Sequence, residues 1–156
     1  MHEYEHTQPG TFMRAMTGLW VVIFVVGSVV MLALGGQEVA GAVIPGIVML
    51  AVFTAIIVAL FHSLTVRISR SDIALSFGVG LIRKRFPIGD IRSVRIARNR
   101  WYNGWGIRKI RGGWLYNVSG FDAIEIQLKN ERKYRIGTDQ PEKLLAAVES
   151  ALAGSS

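Results

Sequence analysis

The sequence predicts an α+β membrane protein: a two-helix transmembrane hairpin followed by a seven-strand β-barrel or sandwich capped by a C-terminal α-helix. Three observations lead there. Charge is divided unevenly: up to residue 63 the only Lys or Arg is Arg14, whereas the remainder carries 17 basic residues against 8 acidic, a net +9. The uncharged part is long enough for two bilayer crossings, and the charged part alternates apolar and polar residues with period two. A chain of 156 residues holds one ordinary domain plus an appendage, and the absence of cysteine excludes a disulfide scaffold, a thiolate zinc site, a cysteine nucleophile and an iron–sulfur centre.

Ala15 to Gln37 contains no charge and includes Leu19-Trp20-Val21-Val22-Ile23-Phe24-Val25-Val26. At ~1.5 Å per residue such a run crosses a hydrocarbon core of roughly 30 Å. A second uncharged run extends from Val39 to Val66 and is densest from Val43 to Phe61, so helices are expected over about 15–36 and 43–62. The short break Gly35-Gly36-Gln37-Glu38 between them forces an antiparallel hairpin. Pro45 falls where the second helix should begin, a place that tolerates a missing N–H. Residues 64–156 are too few to bury two helices that are apolar all round, so a soluble helix pair is the poorer reading.

Orientation follows from the basic residues near the helix ends. Arg14 flanks the first run, Arg67 and Arg70 follow the second, and the connecting break has no Lys or Arg. The positive-inside rule then puts both termini in the cytoplasm and the Glu38 turn outside, in a multi-pass protein of the cell membrane. Residues 1–14 read as a cytoplasmic tail, 15–62 as the hairpin and 63–156 as a cytoplasmic domain. Ala40-Gly41-Ala42 has the shape of a signal-peptidase site, but the stretch ahead is longer than a usual h-region and carries one Arg, so the uncleaved hairpin is preferred.

Beyond His62 the strands follow in order. Leu64, Val66 and Ile68 alternate with Thr65, Arg67 and Ser69, and Ile73, Leu75 and Phe77 alternate with Ala74, Ser76 and Gly78. Gly78-Val79-Gly80 supplies a turn into Leu81–Phe86, which Pro87 ends. Asp90 leads into Ile91–Arg98, with Val94 and Ile96 as its expected core residues. Ile124, Ile126 and Leu128 mark a further strand, turned by Lys129-Asn130-Glu131-Arg132 into Lys133–Gly137, where Tyr134 and Ile136 share a face. Thr138 or Asp139 can cap a final helix with Pro141 in its first turn and Glu142 near its positive end. Leu144, Leu145, Val148, Ala151 and Leu152 form its apolar stripe, and Gly154 ends it.

Tyr102-Asn103-Gly104-Trp105-Gly106-Ile107-Arg108, Gly113-Trp114-Leu115-Tyr116-Asn117-Val118-Ser119-Gly120 and Ile136-Gly137-Thr138-Asp139-Gln140-Pro141-Glu142-Lys143-Leu144 carry a resemblance. From about residue 62 onward the chain resembles bacterial membrane proteins that join a pleckstrin-homology-like domain to a transmembrane hairpin. The resemblance implies a PH-like fold and a membrane location, and it carries no activity. Phosphoinositide-binding members of the wider fold place basic clusters across the first two strands. Only Arg67 and Arg70 stand there in this chain, which argues against inositol-lipid specificity.

The candidate functional stretch runs from Arg83 to Arg111. It holds Arg83, Lys84, Arg85, Arg92, Arg95, Arg98, Arg100, Arg108, Lys109 and Arg111 against the single acid Asp90, and Trp101, Tyr102, Trp105, Trp114 and Tyr116 lie in or just after it. The residues expected to meet a lipid or anion are Arg83, Lys84, Arg85, Arg100, Trp101, Trp105, Arg108, Lys109, Arg111 and Trp114. The long connection from Asn99 to Gly113 is unusual in a compact domain, and such loops often carry function. Cations beside an anionic leaflet contribute about 1 kcal/mol each, and Trp and Tyr favour the interface. The expectation is a non-enzymatic binding or scaffold module touching the anionic inner leaflet or a phosphate-bearing ligand. The competing readings are a basic face that only serves topology and solubility, and a subunit that assembles with a membrane or cytoplasmic protein partner; Gly18, Gly27, Gly35 and Gly36 suit close helix packing. Nucleic acid is disfavoured as a partner, because tethering already accounts for the charge and no RNA-binding signature occurs.

Signals for an enzyme are poor. His62 reads as an interfacial histidine without a nearby acid. His2-Glu3-Tyr4-Glu5-His6 has a chelating spacing only if helical, and a frayed tail is the better reading. No G-x-S-x-G, Walker A or H-E-x-x-H motif occurs, and Gly78-Val79-Gly80 and Gly104-Trp105-Gly106 read as turns. No cofactor is expected. Asn117-Val118-Ser119 has the glycosylation spacing but falls on the cytoplasmic side of the expected topology.

Overall fold

The computed structural model describes residues 4–154, with the side chains at positions 36–38 and 40 excepted. The chain is α+β: two long apolar helical arms, two β-sheets and a C-terminal helix. It begins with a strand, β1 (Tyr4–Pro9), and continues into a helical stretch, α1 (Thr11–Phe61). As one rod, the 51 residues of α1 would measure about 76 Å. Its ends instead meet: the Gly10 N–H donates to His62 O at 2.7 Å. The stretch is therefore folded back between two arms, Thr11–Gly35 and Gly41–Phe61, each long and apolar enough to cross a membrane. Met13, Thr17, Trp20 and Phe24 of the first arm face Ile57, Phe53 and Leu50 of the second. The hairpin expected from the sequence is present. Pro45 lies inside the helical stretch, a turn beyond Gly41, instead of at its beginning. The helical backbone assignment also runs through the expected polar break, where the side chains of Gln37 and Glu38 lie outside the described residues.

The first sheet is an antiparallel meander of β1, β2 (Ser63–Ile68), β3 (Asp72–Phe77) and β4 (Ile82–Pro87). β1 corrects the expected loose tail. All six of its residues pair with β2, Thr7 and Thr65 exchange a hydroxyl hydrogen bond at 2.8 Å, and Glu5 pairs with Arg67. The sequence hides this strand because its residues are mostly polar and only Gln8 is buried, so no apolar alternation marks it.

A short 3-10 turn, Ile88–Asp90, leads to the second sheet: β5 (Ile91–Arg98), β6 (Gly106–Ile110), β7 (Gly113–Asn117), β8 (Asp122–Leu128) and β9 (Lys133–Gly137), in the order β5-β8-β9-β7-β6. β7 and β9 run parallel; every other neighbouring pair is antiparallel. The described residues thus form nine strands where seven were expected, and the sheets do not close into a barrel. Six of the nine match strands located in the sequence; the other three are β1 and the β6–β7 hairpin, which occupies much of the supposed long loop. Its inward face is short and its outward face basic, which weakens the period-two signal.

Leu64, Val66, Ile68, Ile73, Leu75 and Phe77 from one sheet pack against Tyr116, Ile124, Ile126, Tyr134 and Ile136 from the other. The C-terminal helix α2 (Pro141–Ala153) closes one side of this core with Leu144, Val148 and Ala151. Burying a large aliphatic side chain is worth roughly 1.5–3 kcal/mol, so this cluster is the main source of the domain's stability. Two details differ from expectation. The Thr138 hydroxyl accepts the Gln140 N–H ahead of the helix, at 3.1 Å, and no side chain caps α2. Val94 is only partly buried and Ile96 is exposed, because β5 is an edge strand with a sheet neighbour on one side.

The turn after β3 touches the hairpin. Gly78 N–H donates to Ser63 O at 2.9 Å and Val79 N–H to Ala59 O at 3.0 Å. Gly78 has φ +50°, and a Cβ there would strike the Ala59 and Leu60 carbonyls. Gly78→Val therefore combines a strained backbone with a steric clash and should cost about 2 kcal/mol or more. Gly89→Val meets open space and should cost much less. Thermal unfolding of the full chain in detergent, followed by circular dichroism, checks the difference; equal midpoints would show that the turn does not bear on the helices.

Candidate functional site

Strand direction defines two ends of the β domain. The helix-proximal end holds the β3–β4 turn, the β7–β8 turn and the connection between β5 and β6. Thr11 Oγ and Ser119 Oγ are 2.8 Å apart, Gln8 Nε2 donates to Ser119 O, and Asn99 N–H donates to Phe121 O at 2.6 Å. Trp105 stacks on Phe12 at the foot of the first arm, with ring centroids 3.5 Å apart, and its indole N–H donates to Gly120 O. These contacts splice the sheets onto the base of the hairpin.

Seven large apolar side chains of the β domain are exposed among the described residues, and five of them sit at this end: Val79, Leu81, Trp101, Tyr102 and Phe121. The other two are Ile96 and Trp114. An apolar residue in a turn has no core to enter, so its concentration at one end is informative. Three of these five, Val79, Leu81 and Phe121, escaped the sequence reading of the site. The cue was present in Gly78-Val79-Gly80-Leu81, where two aliphatic residues occupy a glycine turn. Arg14 donates to His62 O and Arg83 to Gly80 O, so two guanidinium groups are held at the same end.

The predicted basic stretch is divided by the fold. Arg83 and Arg85 project from one face of β4 and Lys84 from the other, beside Phe86. Arg85 lies 3.9 Å from Asp72, at the far end of that strand. Lys84 and Trp114 line a seam of about 430 Å³ where β4 and the β6–β7 hairpin leave the core partly open, together with Ile82, Arg83, Ile107, Tyr116, Arg132 and Tyr134. Arg100, Arg108, Lys109 and Arg111 come together elsewhere, in a groove of about 770 Å³ with Arg98, Tyr102, Asn103, Ile110 and Arg135. Trp101 is at the exposed rim and Trp105 at the helix joint. The ten expected residues are therefore divided among a rim, a seam, a groove and the helix joint, with Arg85 apart.

Register explains how Arg135 enters the groove. Arg95, Glu125, Arg135, Leu115 and Arg108 form one row across β5-β8-β9-β7-β6, on the face away from the core. Glu125 is buried between two arginines: Arg95 Nη2 reaches Oε1 at 2.5 Å and Arg135 Nε reaches Oε2 at 2.7 Å. Burial by itself raises the Glu125 pKa, but the hydrogen bonds and charges of Arg135 and Arg95 outweigh it and hold the carboxyl below its ordinary value. Beside the groove, Asn99 is buried with neither side-chain amide atom bonded to the protein. Such a group calls for water or a ligand.

The remaining candidates resolve simply. His6 lies in β1, 2.6 Å from Asp139, so it shares no helix with His2, which lies outside the described residues. The His62 ring contacts the Val58 and Ala59 carbonyls at the end of the hairpin. No cluster of three or more metal-ligating side chains occurs among the described residues. Asn117 is buried, with its amide donating to Gly120 O and accepting from the Ser119 N–H, so its glycosylation spacing serves a turn. Compared with known proteins, the chain matches no protein-family model, no curated protein and no solved structure.

Glu125 sets a pH dependence. Its depressed pKa means that the stabilisation is complete above the unfolded-state value, about 4.3, and is lost as pH falls through the lower folded value. Glu125→Gln should destabilise the full chain at neutral pH by about 2 kcal/mol, a figure discounted because Arg95 is exposed. The gap between wild type and variant should close on acidification below pH about 4. Denaturant titrations across that range in detergent check it, and a gap independent of pH would exclude the carboxylate as its source.

Proposed function

We propose that this protein is a membrane-anchored, non-enzymatic binding module whose β domain rests its helix-proximal end on an anionic leaflet. The observation that carries the reading is the gathering of exposed Val79, Leu81, Trp101, Tyr102 and Phe121 at the end where the hairpin leaves the sheets. Aromatic and aliphatic side chains enter the interfacial zone, while Arg14 and Arg83 meet headgroup phosphates at about 1 kcal/mol per cation. The domain lies on the cytoplasmic side of the cell membrane in this reading, since Arg14, Arg67 and Arg70 flank the two arms while the connecting break has no Lys or Arg. A PH-like ancestry is supported by the meander, the second sheet packed on it and the C-terminal helix over one opening. β1, the β6–β7 hairpin and the parallel β7–β9 pair are departures from that plan.

Assembly with a protein partner is the second reading, favoured by the open seam at Lys84 and Trp114 beside the unpaired edge of β4. An extended segment could add there by strand pairing.

The cysteine-free chain gives a direct test. Single Leu81→Cys and Lys129→Cys variants, labelled with an environment-sensitive dye, are placed in nanodiscs of phosphatidylcholine with or without phosphatidylglycerol. The Leu81 label should shift to an apolar signal, more so with the anionic lipid, and salt should weaken the difference. The Lys129 label, at the opposite end, should remain aqueous. Identical signals from both would remove the leaflet contact. In intact cells, an impermeant maleimide should reach Lys129→Cys only after lysis; labelling before lysis would reverse the orientation.

A further inference from the structure

We propose that the groove on the outer face of the second sheet is a binding site for a compound bearing two or more phosphate charges. The site adjoins the leaflet contact through Tyr102, but its cations are distinct from the residues of that contact. Six of its nine lining residues are cations, Arg98, Arg100, Arg108, Lys109, Arg111 and Arg135, and none is acidic. Sheet order distributes them around the cleft. Arg98 ends β5 at one edge, Arg108 and Lys109 belong to β6 at the opposite edge with Arg111 just beyond, and Arg135 stands on β9 in the middle. Four strand spacings separate the two edges, about 19 Å; Arg108 and Arg135 share the outer row, while Lys109, opposite Trp114, alternates to the other face of β6.

Little of this charge is neutralised. Arg135 shares Glu125 with Arg95, and Arg98 is 3.9 Å from the exposed Asp122. Arg100 donates to the Tyr102 hydroxyl and Arg108 to the Trp105 carbonyl, neutral acceptors that orient the guanidinium groups without cancelling them. Lys109 and Arg111 have no ion-pair partner among the described residues. A cleft lined by one sign of charge focuses its potential and concentrates counter-ions. Guanidinium forks match phosphate oxygens two at a time, and cations on opposing walls favour an anion with charge at both ends over a single phosphate. The volume, about 770 Å³, suits a ligand of the size of a nucleotide or a phosphorylated headgroup. The Tyr102 hydroxyl and the Asn103 amide can supply directional hydrogen bonds. Free polyphosphates and phosphomonoester headgroups share this chemistry, so the source is a matter for experiment.

The full chain in nanodiscs of phosphatidylcholine alone is titrated with inorganic pyrophosphate by calorimetry. In a second arm, an environment-sensitive dye at Asn103→Cys reports on nanodiscs doped with phosphatidic acid. Saturable binding in the first arm identifies a soluble ligand, and a lipid-dependent signal in the second alone identifies a headgroup. In either case Arg108→Gln and Arg111→Gln should each weaken binding about tenfold, while Arg92→Gln, outside the groove and paired with Glu131, should not. The Leu81 label used above should be unchanged in the groove variants, which keeps a failure here distinct from a failure of leaflet contact. Absence of binding in both arms overturns the proposal, as does an equal loss in all three variants. Capture of a single-stranded oligonucleotide that pyrophosphate does not displace overturns it in favour of nucleic acid.

Discussion

The hydrogen bond from Gly10 N–H to His62 O is the joint on which the arrangement depends. On one side of it β1 and β2 are paired as far as Pro9, the last residue of β1, and Ser63, the first of β2. On the other side the two helical arms begin and end. Neighbouring strands sit about 4.8 Å apart and packed helices 8–10 Å apart, so the arms must diverge as they leave the ribbon. Arg14 bridges that divergence by donating to the same His62 carbonyl. A pair of antiparallel strands continuing into a pair of antiparallel helices leaves little freedom at the junction. The first sheet is then directed by the hairpin, and its near turn, between β3 and β4, is held against Ala59.

That constraint gives meaning to residues that would be ordinary elsewhere. Val79 in a tight turn and Phe121 in a loop would be minor exposures on a free domain. Fixed at the base of an apolar hairpin, they share one end of the domain with exposed Leu81 and Trp101. The joint is reinforced by packing: Trp105 stacks on Phe12, and Phe61 meets Phe77 edge to face at 6.0 Å. Aromatic pairs of this kind contribute about 0.5–1.5 kcal/mol beyond their buried area. The contacts link the loop before β6 to the first arm and the core strand β3 to the second, so both halves of the hairpin are tied to the domain.

Much of the architecture was legible in the sequence because it rests on local signals. Charge-free runs marked the two arms, and period-two alternation marked β2, β3, β8 and β9, whose apolar residues in that pattern are buried. The spacing of Leu144, Val148 and Ala151 marked α2. What escaped depends on non-local pairing. β1 is a strand because β2 offers an edge, and its own residues are too polar to announce it. The β6–β7 hairpin was concealed by basic residues and glycines, and Ile96 was taken for core because an edge strand keeps its alternation after its cover has ended.

The candidate site shows the same limit more sharply. Ten basic residues between Arg83 and Arg111 read as a single patch when only proximity along the chain is known. Alternation separates Lys84 from Arg83 and Arg85, and the sheet order makes β4 an edge of the first sheet and β6 an edge of the second. The same order inserts β9 between β8 and β7, which carries Arg135, distant in sequence, to the middle of the groove. Its partner Glu125 could have been recognised as facing outward from the alternation of Ile124 and Ile126. Only the pairing of β5, β8 and β9 shows that it stands between two arginines and is therefore occupied. Charge composition pointed to anions, and strand order determined which cations share the groove.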